Sequence, residues 1–239
     1  MNSALNSNLH IQALEVRNFT ILPDGTYHFA PGINFVIGEN NVGKTHLLKL
    51  LYALLKVQEP PTSSIDNPKG PTREAYSRRI AEELVAVFRP DQLGRLVRRR
   101  QGRQDCFVSV QIAGIEGKLS FTFSTHHSSE VKVLEVPTAY LPDAGTAIYL
   151  SVREALSLVP WFVSLYEQRE VPFEKPLRDL VIALMTPPLR GPREQRAKAL
   201  LKHIEPHLGG RVETDPPTGR LYLKLTNQGK MEIPLVAEG

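Results

Sequence analysis

The sequence predicts a mixed α/β chain built around a strand–loop–helix unit, and three observations carry that expectation. Ile33-Asn34-Phe35-Val36-Ile37 has the apolar density of a buried strand. It runs directly into Gly38-Glu39-Asn40-Asn41-Val42-Gly43-Lys44-Thr45, which fits the spacing G-x-x-x-x-G-K-[ST] of a phosphate-cradling loop. His46 to Leu55 then carries the leucine-rich pattern of the helix that should leave such a loop. At average residue usage, a chain of this length matches the motif by chance about once in a hundred.

The remaining elements follow in chain order. His10 to Phe19 alternates as a first strand, Asp24-Gly25 marks a turn, and Thr26 to Phe29 returns as the second strand of a hairpin. Pro31-Gly32 turns the chain into the strand that feeds the phosphate loop. After the first helix, Glu59 to Thr72 is rich in Pro, Ser, Asp, Asn and Gly and reads as a surface loop, with mobility expected near 58–72. Helical spacing resumes over Arg73 to Phe88 through Tyr76, Ile80, Leu84, Val87 and Phe88. Antiparallel strands are expected at Cys106–Ile112, Lys118–Phe123 and Val131–Val136, and another buried strand at Ala147–Leu150. Val152 to His207 is mostly helical, broken at Pro172, Pro187-Pro188 and Gly191-Pro192. A hairpin closes the chain, with Gly210–Glu213 and Leu221–Leu225 flanking the turn Asp215 to Gly219. The expected organisation is a nucleotide-binding lobe over 1–151, a helical segment over 152–207 and a β-hairpin region over 208–239.

Composition sets outer limits. The chain has 239 residues, 41% hydrophobic and 23% charged, enough apolar material for a sizeable core. A formal charge of +4 permits a nucleic-acid partner without demanding one. The single cysteine, Cys106, excludes an internal disulfide framework and reads as a core thiol. Met1 to Ser7 has neither the basic nor the apolar region of a signal peptide, and no apolar run approaches the ~20 residues of a membrane span. A cytoplasmic protein without membrane partners is expected.

The loop motif assigns chemistry to each residue. Main-chain N–H groups of Gly38, Glu39, Asn40, Asn41, Val42 and Gly43 would surround the α- and β-phosphates, with the positive end of the following helix behind them. Lys44 would reach the β/γ oxygens and Thr45 would ligate Mg²⁺. Hydrolysis also needs an acid at the end of an apolar strand, and none is found. Ala147–Leu150 ends in Ser151, and Ile233 to Ala237 meets Glu238 only at the end of the sequence. Asp91-Gln92-Leu93-Gly94 fits the D-x-x-G of GTPases, but it follows Arg89-Pro90 and no N-K-x-D accompanies it. No substrate-cleft or lid motif supports a small-molecule kinase.

The strand ending in Arg17-Asn18-Phe19, the hairpin, and then Gly32-Ile-Asn-Phe-Val-Ile-Gly-Glu-Asn-Asn-Val-Gly-Lys-Thr45 resemble the N-terminal lobe of ATP-binding-cassette (ABC-type) ATPase heads. The similarity is to the structural-maintenance-of-chromosomes, RecF-like and overcoming-lysogenisation-defect groups, within the wider AAA class. Their loop usually reads G-x-N-G-x-G-K-[ST]. Asn40 matches the family Asn, while Asn41 replaces a Gly, a tolerable change because Asn enters the left-handed region readily. Ala147 to Ser157 also resembles a segment that brings a polar residue to the γ-phosphate in the overcoming-lysogenisation-defect group. The resemblance implies that ATP is sandwiched between this loop and the Ser-Gly signature of a second head. It places the Mg²⁺ acid and catalytic Glu in a C-terminal lobe that this sequence lacks, with Met231 to Gly239 as the lead-in to it. It also implies base contacts from Asn18 to Gly25.

Other candidates keep two readings. Glu154 would coordinate Mg²⁺ through water or orient the nucleophile, or else be a helix N-terminal carboxylate favoured by the macrodipole; Arg153 beside it is weaker. The run Arg95 to Arg103 would contact DNA or RNA phosphates, or be a solvated turn, since no aromatics interleave it. His203 and His207 are spaced as helical metal ligands, but Pro206 intervenes and no third ligand completes a site. His126-His127 falls in a hairpin turn, and Trp161, Phe162 and Leu165 read as core. The functional expectation is Mg-ATP binding by half of an ATPase head, paired with a second head or a homodimer. The alternative is a non-catalytic interaction module gated by nucleotide. A third reading is a nucleic-acid binder with an incidental loop.

Overall fold

The computed structural model describes residues 9–60, 72–98, 104–127, 129–141, 147–150, 174–185, 192–208, 210–215, 221–225 and 229–232. The chain divides into two compact units, Met1–Tyr149 and Leu150–Gly239.

In the first unit, β1 (Ile11–Arg17), β2 (Gly25–His28), β3 (Asp105–Ile112), β4 (Leu119–Ser124) and β5 (Lys132–Glu135) form one antiparallel sheet in the order β2-β1-β3-β4-β5. Period-two alternation decides which face is inward. Leu14 and Val16 of β1, Cys106, Val108 and Val110 of β3, and Leu119, Phe121 and Phe123 of β4 are all buried. The register sets Cys106 against Phe123, Val108 against Phe121 and Val110 against Leu119. Each such apolar pair contributes roughly 0.2–1 kcal/mol.

Helices α1 (Lys44–Gln58) and α2 (Arg73–Phe88) pack into that core. Leu47, Leu50, Leu54 and Val57 recur at helical spacing on the buried side of α1, as Tyr76, Ile80, Leu84 and Val87 do on α2. Thr72 caps α2, its Oγ1 accepting from the Ala75 N–H at 3.2 Å, and Glu74 complements the dipole in the first turn. Glu59 closes α1 and pairs with Lys56 at 3.0 Å. The expected loop over 58–72 lies for the most part outside the described residues.

Two expected strands are not strands. Residues 31–40 are exposed throughout, and among the described residues no strand pairs with Ile33–Ile37. Ala147–Leu150 likewise forms no strand among the described residues: the Ala147 N–H donates to Glu59 Oε1 at 3.3 Å and Tyr149 sets its ring edge-on to Tyr52 at 6.0 Å, but Ile148 and Leu150 are exposed. The physical reason is the same in both. Apolar character makes a strand worth burying, but burial requires a ladder partner and a covering layer, and the described residues provide neither.

In the second unit, α3 (Lys175–Met185) buries Leu180 and Val181. A further helix, α4 (Pro192–Leu208), begins with Pro192, where the missing N–H costs nothing, and contains Pro206 in its last turn. The expected terminal hairpin is instead a three-stranded antiparallel sheet, β6 (Gly210–Thr214), β7 (Leu221–Leu225) and β8 (Gly229–Glu232). Met231 and Glu232, read from sequence as a lead-in to a further lobe, pair with Leu223 and Tyr222. Residues 233–239 lie outside the described residues, as do Trp161, Phe162 and Leu165.

Candidate functional site

The loop from Gly38 to Thr45 needs backbone conformations that few residues tolerate, and its sequence supplies them. Asn41 sits at φ 65°, in the left-handed region that its side chain allows. Gly43 takes φ 95° and ψ 11° as the residue preceding α1, and its backbone contributes the first helical bond, Leu47 N–H to the Gly43 carbonyl at 2.9 Å. No side chain caps this helix end and no acid lies in its first turn. Its leading N–H groups therefore lack intrahelical acceptors, and the positive end of the dipole opens toward the exposed loop. Lys44 Nζ folds back over the loop, donating to the carbonyls of Gly38 at 2.7 Å and Glu39 at 2.6 Å. Thr45 is exposed beside it.

A second wall, which the sequence only partly disclosed, braces the loop. Between β1 and β2 the chain passes through Asn18 at φ 55° and Thr20 at φ 45°. A β-branched residue in that region costs about 1–3 kcal/mol and persists only where its surroundings over-determine it. Here they do. The Thr20 N–H donates to the Leu96 carbonyl at 2.7 Å, and its own carbonyl accepts from Arg98 Nε at 2.9 Å. Thr20 Oγ1 lies 2.9 Å from His46 Nδ1, and the His46 ring stands edge-on to Phe88 at 5.6 Å. Arg98 also reaches Asp24 at 3.3 Å, and Asp24 accepts from the Asn18 N–H at 2.8 Å. The result is that Ile21 and Leu22 are pressed against Gly43: a Cβ there would stand 3.0 Å from Leu22 Cδ2 and 3.4 Å from Ile21 Cγ1. Ile21 and Val42 remain exposed at this edge of the loop.

Sequence alone assigns no bracing role to three of these residues: Thr20 falls in the expected base-contact stretch Asn18–Gly25, Arg98 in the basic run, and His46 in the helix alone. His46 directly follows the Lys-Thr pair, the one local signal that marks it. Arg98 belongs to the run Arg95–Arg103, and its place in the brace assigns it a structural role; Arg99 to Arg103 lie outside the described residues. Glu154 and Arg153 also lie outside them. The D-x-x-G glycine, Gly94, is explained by packing, because a Cβ would strike the Thr125 carbonyl. His127 accepts at Nδ1 from the Ser124 N–H at 3.0 Å, a turn contact. No cluster of three or more His, Cys, Asp or Glu suited to a metal occurs among the described residues, and His203 is exposed on α4. Cys106 is fully buried, and burial pushes its thiol well above the usual range.

The fold is mixed α/β with an antiparallel sheet, and its loop has the spacing of a phosphate-loop NTPase. Residues 10–136, more than half of the 239, match the model of the AAA ATPase domain, and the chain belongs to that family. Among similar proteins, the DNA replication and repair protein RecF of Azobacteroides pseudotrichonymphae is 41% identical over 44 residues, 18% of this chain and 12% of the relative. The RecF of Limosilactobacillus fermentum is 28% identical over 129 residues, 53% of this chain and 30% of the relative. These matches bear out the RecF-like resemblance, and they span well under half the length of either relative. A solved structure of the recombination mediator protein RecF with ATP, from the RecFOR pathway, has a TM-score of 0.40 at 16% identity, covering 71% of this chain and 39% of that one.

Proposed function

We propose that the chain binds Mg-ATP at Gly38–Thr45 as the N-terminal part of an ABC-type ATPase head. The observation that carries this reading is the position of Lys44, held over the loop carbonyls at the uncapped head of α1. An ammonium there lies ready to meet the β/γ oxygens, while the loop N–H groups and the helix end take the rest of the anion. Mg²⁺ fits the donors present, because it keeps most of its waters and binds through phosphate oxygens plus one or two protein oxygens. The exposed hydroxyl of Thr45 supplies one such oxygen. When bound, the ion neutralises charge on the β- and γ-phosphates. The lobe of 1–151 would hold the nucleotide, followed by the regions over 152–207 and 208–239. Hydrolysis would require a C-terminal lobe, pairing with a second head or a second copy, and Glu154 as the candidate to orient water. A cytoplasmic setting and contact with DNA or RNA complete the reading, and the names of the relatives, DNA replication and repair proteins, favour DNA.

A second reading, a non-catalytic module gated by nucleotide, is favoured by the exposed apolar residues Ile33, Phe35 and Ile37 directly before the loop. Turnover of labelled ATP, compared with Lys44→Ala, separates the two. Lys44-dependent hydrolysis by this chain alone refutes the module. Saturable binding without turnover at high protein concentration refutes autonomous catalysis.

A further inference from the structure

We propose that the last turn of α1 and the facing turn of α2 hold a small inorganic anion, chloride being the abundant one, between the side chains of Gln58, Tyr76 and Arg79. The site lies at the far end of α1 from Lys44, about 20 Å along a 15-residue helix, and stands independently of the nucleotide reading.

Three hydrogen-bond donors meet there without an acceptor. Gln58 Nε2, Tyr76 Oη and Arg79 Nη1 are buried atoms, and none has a hydrogen-bond partner. Gln58 is 2% exposed and Tyr76 1%. The contacts around them bring all three to one place. Arg79 Nη2 donates to the Lys56 carbonyl at 2.8 Å, which sets the guanidinium against the turn that carries Gln58. Tyr76 lies one turn before Arg79 on the same side of α2. Its ring packs on Tyr140 at 5.7 Å, and the next N–H, that of Leu141, donates to the Gln58 carbonyl at 2.8 Å. Burial, and then Tyr140, raise the Tyr76 hydroxyl well above the usual range while Arg79 opposes, so it stays protonated and can donate. A buried donor left unpaired forfeits its hydration without return, and three together call for an acceptor.

Charge selects the acceptor. Lys56 and Arg79 bring two positive charges to this end of α1, and Glu59 brings one negative. Glu59 is already engaged: its two oxygens take Lys56 Nζ at 3.0 and 3.3 Å, and Oε1 also accepts from the Ala147 N–H at 3.3 Å. Among the described residues no carboxylate pairs with Arg79. The C-terminal dipole of α1 offsets about half a charge, so the enclosed balance stays positive. A water molecule could accept from Gln58 and Arg79 and donate to Tyr76 Oη, but it would leave that charge in place. A small anion accepts all three bonds and neutralises the guanidinium as well. The three donor atoms are closed to solvent, which excludes a bulky organic anion.

Crystals of the full chain grown in bromide and measured at the bromine absorption edge locate the ion directly. An anomalous peak in hydrogen-bonding contact with Gln58 Nε2, Tyr76 Oη and Arg79 Nη1 is expected. A water molecule in that position, or Gln58 bonded directly to Arg79 or Tyr76, overturns the site. In solution, urea unfolding is compared in sodium chloride and sodium gluconate at an equal ionic strength of about 0.15 M. With chloride about tenfold above its dissociation constant, the folding equilibrium should shift toward the native state by about tenfold, saturating as one site does. Arg79→Gln should remove the difference between the salts. Gln58→Glu sets a carboxylate of the same shape beside Arg79; it should be indifferent to chloride and match, in gluconate, the stability of the wild type in chloride. An anomalous peak without chloride-dependent stability is binding at crystal concentration only and overturns the proposal. An undiminished chloride response in folded Arg79→Gln or Gln58→Glu does the same. The diffraction and the wild-type salt comparison need no variant, so a substitution that prevents folding cannot shield the proposal.

Discussion

Replacing Gly43 by Ala tests how the brace and the loop depend on each other. At φ +95° the new Cβ faces the steric cost of a left-handed L-residue, about 1–2 kcal/mol. It also meets Leu22 Cδ2 at 3.0 Å and Ile21 Cγ1 at 3.4 Å. Leu22 is 2% exposed and belongs to the core, so it can yield only by repacking, at a cost of about 1–3 kcal/mol. Together these give a loss of about 2–5 kcal/mol against a total stability of order 5–15. Gly114→Ala is the control. Its φ is +83°, but its nearest neighbour, Leu9 Cδ2, lies at an ordinary 3.4 Å, so only the backbone cost of about 1–2 kcal/mol applies. Urea unfolding followed by circular dichroism measures both. A Gly43→Ala midpoint no lower than that of Gly114→Ala would refute the idea that Ile21 and Leu22 are pressed onto the loop.

Three further outcomes are expected. Arg98→Met removes the bond to the Thr20 carbonyl and the pair with Asp24, partly solvent-screened at 38% exposure; a loss of about 1–2 kcal/mol in urea unfolding is expected, with weaker ATP binding as Thr20 relaxes. The Cys106 thiol is raised from 9.0 chiefly by burial, with Asp24 raising it further and Arg98 opposing. Its folded value exceeds its unfolded one, so its contribution is fully present below pH 9 and declines above it, by about 1.4 kcal/mol per pH unit. Stability should hold from pH 8 to 9, approach that slope by pH 10.5, and fall less steeply in Cys106→Val, and thiol reagents should label Cys106 only on unfolding. Glu154→Gln should leave ATP affinity unchanged while reducing any turnover, and equal turnover would remove Glu154 from the chemistry.

Much of this was legible in the sequence, and the exceptions share a cause. The hairpin, both helices of the first unit and β3 to β5 were readable because each buries one face, and one-sided burial prints a period on the chain. Within the loop, the left-handed conformation at Asn41 was readable from its residue type. Ile33–Ile37 and Ala147–Leu150 misled because an apolar run records a demand for burial and says nothing of who meets it. The brace was hidden because Thr20 and Arg98 are brought together by the bridge of Phe19 with Val97, and His46 reaches them from α1, separations no local pattern spans. Arg98 is instructive: in a basic run it reads as a phosphate contact, yet here it holds a strained turn.

The account depends most on the loop holding a triphosphate through Lys44. Isothermal titration of the folded chain with ATP, with and without Mg²⁺, measures this directly. Saturable Mg²⁺-dependent binding that weakens at least about tenfold in Lys44→Ala is predicted, equivalent to about 1.4 kcal/mol. Absence of binding by folded wild-type protein, or equal affinity in Lys44→Ala, would contradict it.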